Sequence, residues 1–255
     1  MNEIKSAYFT QDKHKNPTHY HDNHQIILVV SGNIKITVNG KSLMAKPHSL
    51  IIFSRWENHL IEVVSDNYER YILRLNPSYD RLYSILSNRP DGFMNIIDTG
   101  EDFEEFEAVF KRICEEKNSS CELSEDMLEA LTRMLMVMLH RKIPHITYNE
   151  LVSELQRKFE ADFSKTYKLD SLARECSVSV STLAHEFKKV TGTSVMEYLT
   201  FCRISSAKNM LAKSASDIGK IVEECGFSDA SNFSRTFKKH TGMSPTDFRK
   251  KYKTN

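Results

Sequence analysis

Residues 223–248, EECGFSDASNFSRTFKKHTGMSPTDF, decide the fold because they have a near copy at residues 174–198, RECSVSVSTLAHEFKKVTGTSVMEY. Cys176 aligns with Cys225, Phe187 with Phe237, Lys188-Lys189 with Lys238-Lys239, and Thr191-Gly192 with Thr241-Gly242. The offset is 49 positions and becomes 50 after one insertion. Two copies are too few for a solenoid and suit a duplicated supersecondary unit.

Within each copy an apolar stripe at helical spacing runs into a short break and then a second stripe. The first stripes are Leu169, Leu172, Ala173, Cys176 and Ile218, Ile221, Val222, Cys225. The breaks are Ser177-Val178-Ser179 and Gly226-Phe227-Ser228, where Gly suits a left-handed helix end and Ser suits the cap of the next helix. The second helix buries Leu183 and Phe187, or Phe233 and Phe237, four apart on one face, and stops at the Gly of Thr-Gly. A third helix starts at once. Ser194 and Glu197 have capping-box spacing, and Pro245 stands at a first helical position, where its missing N–H is harmless. Each copy therefore reads as helix, turn, helix, with a further helix behind it.

A helix-turn-helix presents its second helix to the major groove, so the residues opposite the buried stripe should be small, polar or basic. At 100° per residue they are Ser181, Ala184, His185 and Lys188 in copy one, and Ser231, Ser234, Arg235 and Lys238 in copy two. Base contact is expected from Ser181, Ala184, His185, Ser231, Ser234 and Arg235; a guanidinium reading a guanine edge makes Arg235 the most decisive of these. Phosphate contact is expected from Ser179, Thr182, Lys188, Lys189, Ser228, Asn232, Lys238 and Lys239. For one copy alone a solvated helix face explains such residues equally well; the duplication favours DNA. Residues 194–211 read as a single helix, roughly 27 Å long at 1.5 Å per residue, which suits a spacer between two recognition helices. Charge agrees: residues 1–148 carry 17 basic and 21 acidic side chains, residues 149–255 carry 18 and 13, so a net charge of +1 conceals a basic C-terminal half.

The run Gly226-Phe227-Ser228-Asp229, Ser231-Asn232-Phe233-Ser234-Arg235, Phe237-Lys238-Lys239, Thr241-Gly242, Ser244-Pro245 and Phe248-Arg249 resembles the signature of AraC-type transcription regulators. The resemblance extends over residues 151–253, with Tyr198-Leu199, Arg203 and Ala207 between the two units. The family usually has Ala where Val222 stands, and often a larger polar residue at Ala184. The resemblance implies double-stranded DNA as a partner, a small-molecule effector, RNA polymerase at promoters, and activation as the usual outcome.

The N-terminal half has a different rhythm. Short β-rich runs, 25–30, 33–38, 49–53 and 68–75, are separated by turn signals at Ser31-Gly32-Asn33 and Asn39-Gly40, which predicts an antiparallel β-barrel. This half resembles a cupin. His19-Tyr20-His21, Gln25 and Gly32 follow the spacing of the first cupin motif, and His59 falls where the second motif has its His. In a cupin enzyme these positions bind Fe, Mn or Zn, but Gln25 offers a neutral amide where the motif has a carboxylate. The preferred reading is therefore a pocket without metal or other cofactor, in which His19, His21, Gln25 and His59 line a ligand site. Arg55 and Trp56 lie near it in sequence, and His14, His24 and His48 read as surface residues.

The expected organisation is α+β: a cupin-like sensing domain at 1–100, a helical linker at 101–145 and a DNA-binding domain at 149–255. In the linker, stretches 103–116 and 124–141 are strongly helical, and Met127, Leu128, Leu131, Met134, Leu135, Met138 and Leu139 form a broad apolar face. That face either pairs two copies of the chain, as the resemblance implies, or packs on the chain's own barrel. No apolar run approaches the roughly 20 residues that span a bilayer, and the N-terminus lacks the pattern of a secretory signal, so a cytoplasmic protein without membrane contact is expected. Cys114, Cys121, Cys176, Cys202 and Cys225 have neither disulfide nor zinc spacing. Two functional classes follow: a ligand-responsive DNA-binding regulator without enzymatic activity, or a metal-dependent cupin enzyme fused to a DNA-binding domain.

Overall fold

The computed structural model describes residues 4–12, 21–38, 40–78, 80–87, 95–143 and 149–252. The chain divides into two compact units, Met1–Tyr148 and Asn149–Asn255.

The first unit contains strands β1 (Ile4–Thr10), β2 (His24–Ser31), β3 (Ile34–Val38), β4 (Lys41–Ala45), β5 (Ser49–Phe53), β6 (His59–Val63), β7 (Glu69–Leu75) and β8 (Ile96–Asp98). Helix α1 (Ser84–Ser87) precedes β8, and α2 (Phe103–Lys117) and α3 (Ser124–Lys142) follow it. Two antiparallel sheets form, in the orders β1-β7-β2-β5-β8 and β4-β3-β6. No ladder joins them among the described residues, so the expected barrel is an open, cupin-like one. The central strand β2 explains the unbroken apolar run at 26–29, since a strand buried on both faces needs no polar side. Ile27 and Val29 join the apolar layer between the sheets. Ile26 and Leu28 face outward into a second core with α2 and α3. The hairpin expected at Asn39-Gly40 joins β3 to β4, with Val38 opposite Lys41 and Gly40 at φ 78°; Asn39 itself lies outside the described residues.

Strands β1, β4, β6 and β8 were not legible as runs. Most of β4 is exposed and β8 has only three residues, so neither carries the alternation of a half-buried strand. The apolar face of α3 divides. Leu128, Leu135 and Leu139 are buried against the outer face of the sheet, with Leu131 and Met138 packed beside them. Leu123, Met127, Met134 and Val137 stay exposed. No helix among the described residues is long and apolar enough to cross a membrane, and all five cysteines are free thiols.

The second unit is helical: α4 (Glu150–Ala161), α5 (Leu169–Glu175), α6 (Val180–Thr191), α7 (Val195–Lys213), α8 (Ile218–Glu224), α9 (Ala230–Thr241) and α10 (Pro245–Tyr252). Helix α4, unforeseen from the sequence, supplies Phe159, whose ring packs against those of Phe187 and Tyr198. Both repeats follow the expected plan, with Leu183, Phe187, Phe233 and Phe237 fully buried and left-handed caps at Gly192 and Gly242. The turns differ in detail. The left-handed residue is Gly226 in copy two, whereas Ser177 takes the same conformation in copy one, at φ 55°. Ser179 caps α6 as expected, accepting from the Thr182 N–H at 3.0 Å. In copy two the inserted residue moves the cap from Ser228 to Asp229, which accepts from the Asn232 N–H at 2.7 Å.

Gly226 is required twice over. Its φ of 73° disfavours any side chain, and a Cβ there would lie 2.2 Å from the Ser164 carbonyl oxygen. The loop it touches is held from α7: Arg203 donates from Nε to the Phe163 carbonyl and from Nη2 to the Lys165 carbonyl, both at 2.9 Å, and its guanidinium lies 5.8 Å from the Phe227 ring. Gly226→Ala is therefore expected to cost about 2 kcal/mol or more. Ser177→Gly, which relieves the left-handed strain but adds backbone entropy, should raise stability by about 0.5 kcal/mol. Urea titration of the two variants measures both.

Candidate functional site

Two sets of side chains qualify as sites, one in each unit. In the helical unit, α6 and α9 turn one face inward through their Leu and Phe stripes and the other to solvent. Ser181, Thr182, His185, Lys188 and Lys189 are exposed on or beside the outer face of α6, and Ala184 is half-buried. On α9 the corresponding Ser231, Asn232, Ser234, Arg235, Lys238 and Lys239 are exposed, as is Ser228 in the turn before it. Some of these groups have local work. The Ser179 and Thr182 hydroxyls bond each other at 2.8 Å, and Asn232 Oδ1 accepts from the Thr236 hydroxyl at 3.4 Å. The lysine pairs sit at helix C-termini, where positive charge also complements the helix dipole. His240 follows them but turns away from this face: its ring packs edge-on against Phe201 of α7, 5.0 Å between centroids. Burial, together with the charge of Lys239, holds its imidazole below the usual range.

The α7 rod between the two recognition helices has 19 residues and is about 28 Å long at the standard rise. Helices α4, α6, α8, α9 and α10 all pack on it. Val222, where the family signature has Ala, is accommodated in the core of the second with Ile204, Ala207 and Leu211.

In the sheet unit, three of the four pocket candidates come together; His19 lies outside the described residues. Gln25 stands in register with Phe53 on one side and Arg74 on the other, and is 3% exposed. The His59 ring stacks on Phe53 at 3.9 Å and lies 5.4 Å from the His21 ring. His59 Nδ1 lies 2.9 Å from the Glu57 carbonyl oxygen, which requires this nitrogen to donate. Trp56, at φ 66°, donates its backbone N–H to the His21 carbonyl at 2.8 Å. Among the described residues no three His, Cys, Asp or Glu side chains come together as a metal-binding group.

His24 is not a surface residue: it is 2% exposed at the start of the central strand, and its Nδ1 accepts from the Arg55 N–H at 3.3 Å. His48 is exposed and stacks on Phe103 at 3.8 Å. Sequence reasoning also missed the polar residues sharing the inner face of the large sheet, Ser6, Tyr68, Arg70 and Arg74. The two-residue period of YERYILRL at 68–75 was visible, but not which side of β7 met the other sheet.

Residues 3–131, half of the chain, match the family described as AraC-like ligand binding domain, and residues 172–251 match a helix-turn-helix domain family. The HTH-type transcriptional activator RhaR of Escherichia coli strain K12 is 29% identical over 147 residues, which is 55% of this chain and 52% of RhaR. The RhaR of Shigella boydii gives the same figures. The chain thus spans about half the length of the curated relatives it matches. Among solved structures, ToxT from Vibrio cholerae has a TM-score of 0.63 at 14% identity, over 99% of this chain and 100% of that one. ToxT with bound unsaturated fatty acid has a TM-score of 0.61 at 15% identity, over 95% and 93%. At these identities the likeness is one of fold. A sheet unit matching the AraC-like ligand binding family, joined to two helix-turn-helix units on one connecting helix, means that this chain belongs to the AraC-type family of transcription regulators.

Proposed function

We propose that the chain is a sequence-specific DNA-binding transcription regulator whose N-terminal unit senses a small molecule. The observation that carries this reading is the pair of capped recognition helices on one connecting rod, each with a polar or basic outer face. On this reading Arg235 reads base edges, helped by Ser231, Ser234, Ser181, His185 and Ala184. Lys188, Lys189, Lys238 and Lys239 hold phosphates, with Ser179, Thr182, Ser228 and Asn232 at the helix entries. The effector pocket is the inner face of the larger sheet around His21, Gln25 and His59, with His19 in the segment before them. The fold accepts such a ligand elsewhere, since ToxT has been solved with an unsaturated fatty acid bound.

An effector shifts such a protein only by binding one arrangement of its units better than another. The functional domains are read as 1–100 for sensing, 101–145 for the helical segment and 149–255 for DNA, although α2 and α3 share a core with the sheet. The strip of Met127, Met134 and Val137 left exposed on α3, with Leu123 just before it, is read as a homodimer contact. Activation is the role we infer by analogy with RhaR, a transcriptional activator, and RNA polymerase as partner in a cytoplasmic setting is what the AraC-type resemblance implies. The enzyme alternative requires Gln25 to replace a carboxylate ligand, and no observation favours it. Metal analysis of the purified protein is expected to find far less than one Fe, Mn or Zn per chain; a stoichiometric metal would reverse the choice.

Three outcomes test the regulator. Genome-wide capture of bound DNA in the host should enrich a few promoters. On the best site Arg235→Ala should weaken binding by about 1–3 kcal/mol and relax preference at one base position, read by mobility shift on single-base variants. Lys239→Ala should instead weaken all sequences alike and flatten the slope of log K against log salt by about 0.9. Equal effects of the two substitutions would refute this division of roles. Sedimentation at micromolar concentration should show a dimer whose dissociation constant rises at least about tenfold, or about 1.4 kcal/mol, in Met134→Glu; a monomer in the parent protein would remove the dimer.

A further inference from the structure

Strand β7 places Arg70, Ile72 and Arg74 on one side, with Tyr68 just before them in the same alternation. Tyr68 and Ile72 belong to the apolar layer between the two sheets, so the arginines face the same interior. Register confirms this: Arg70 stands opposite Thr10 and Val29, and Arg74 opposite Ser6 and Gln25. Arg70 is 8% exposed, and its Nε and Nη1 are buried with no hydrogen-bond partner among the described residues. The Tyr68 hydroxyl is buried as well and meets no partner at full hydrogen-bond geometry, although the Arg70 guanidinium lies close enough to act on it as a donor and as a charge. The Arg70 guanidinium lies 5.0 Å from the Tyr68 ring centroid. Burial pushes the phenol up to about 12, so it is a neutral O–H donor.

A guanidinium does not escape burial by losing its proton. It keeps its charge, and a buried charge without a counter-charge is unfavourable. No carboxylate among the described residues pairs with Arg70. In its row of the inner face the acid is Asp98, three strands away, roughly 14 Å at the usual strand spacing, where it accepts from the Gly100 N–H. Arg74 adds a second positive charge on the same face, about 13 Å along the strand, where its Nε, Gln25 Oε1 and Ser6 Oγ are also buried without partners. The register irregularity between Val29 and Ser31 adjoins Arg70, and such bulges re-aim side chains next to sites. The cation–π contact accounts for the position of the guanidinium over the ring but satisfies none of its N–H donors.

We propose that the effector is a carboxylate-bearing small molecule, and that Arg70 and the Tyr68 hydroxyl hold its carboxylate on the inner face of the larger sheet. A planar guanidinium matches a carboxylate in shape and charge, and one cation suits a monoanion better than a phosphate dianion. The proposal rests on reading this face as the effector pocket and adds the chemical class of the ligand.

The test is thermal unfolding of the full chain with straight-chain monocarboxylates from acetate to octanoate and with benzoate, each against its own amide. At a hundredfold excess over its Kd, a carboxylate should raise the midpoint by roughly 5 °C while its amide does not. Arg70→Met should abolish that response and leave the ligand-free midpoint at or above that of the parent protein, because an uncompensated cation has been removed. Arg70→Lys, which keeps the charge but not the planar fork, should respond more weakly. The proposal is overturned by each amide matching its acid, by Arg70→Met responding like the parent, or by a lower ligand-free midpoint in Arg70→Met with no response to any acid in the parent. If amides or neutral hexoses shift the parent but not Gln25→Leu, the pocket stands and the carboxylate falls. Silence of every probe overturns both.

Discussion

Helix α7 has to close two cores at once, and the DNA-binding half is organised around that demand. A surface helix needs one apolar stripe, but α7 buries Val195, Tyr198, Leu199, Phe201 and Cys202 along its first part and Ile204, Ala207 and Leu211 along its second. It is therefore buried nearly all round, and no Pro or Gly interrupts it. The rings of Phe187 and Phe159 meet it through Tyr198, and His240 meets it through Phe201. Arg203 then ties the loop after α4 to the second turn, where only glycine fits. Each recognition helix is thus positioned by buried contacts on its inner side, which leaves its outer side free of structural duty apart from the caps.

The strand β2 plays a comparable part in the first unit. Its alternate residues feed two separate cores, one beneath α2 and α3 and one between the sheets. Packing of this kind makes the polar groups on the inner face conspicuous. Ile27, Ile51 and Ile72 form the apolar middle row of the face, with Gln25 and Arg74 toward one end and Arg70 toward the other. A fold selected for stability alone would replace such groups with apolar side chains; retaining them lowers stability in the way binding sites commonly do.

The two repeats reach the same backbone geometry with different residues. Ser177 adopts the left-handed conformation that Gly226 adopts, and Ser179 caps where Asp229 caps. The difference has a packing reason. Gly226 lies against the Ser164 backbone, so a side chain is excluded by contact as well as by φ, whereas Ser177 is exposed and has only its φ to accommodate.

The duplication, the helix ends and the outward faces of α6 and α9 were legible in the sequence, because caps, glycine stops and the 3.6-residue stripe are local features that each repeat states independently. The β-rich character of the first half and its Asn-Gly hairpin were legible for the same reason. What remained hidden depends on which surfaces meet. Alternation in residues 68–75 marks two sides of a strand but not which one faces the second sheet, so nothing local shows that Arg70 and Arg74 point inward. His24 looked like a surface residue until the central strand enclosed it, and the apolar face of α3 divided between core and solvent only when the sheet took its share. Helix α4 went unread although Asn149 caps it and Val152, Leu155 and Phe159 form a helical stripe, whereas the edge strands β4 and β8 were invisible because their identity comes from long-range partners and not from their own pattern. The sequence by itself determined the repeated helix-turn-helix units and their outward residues, since local hydrogen bonding and periodicity specify them. Only the tertiary structure decided which polar side chains line the sensing face, because burial is a property of two surfaces brought together.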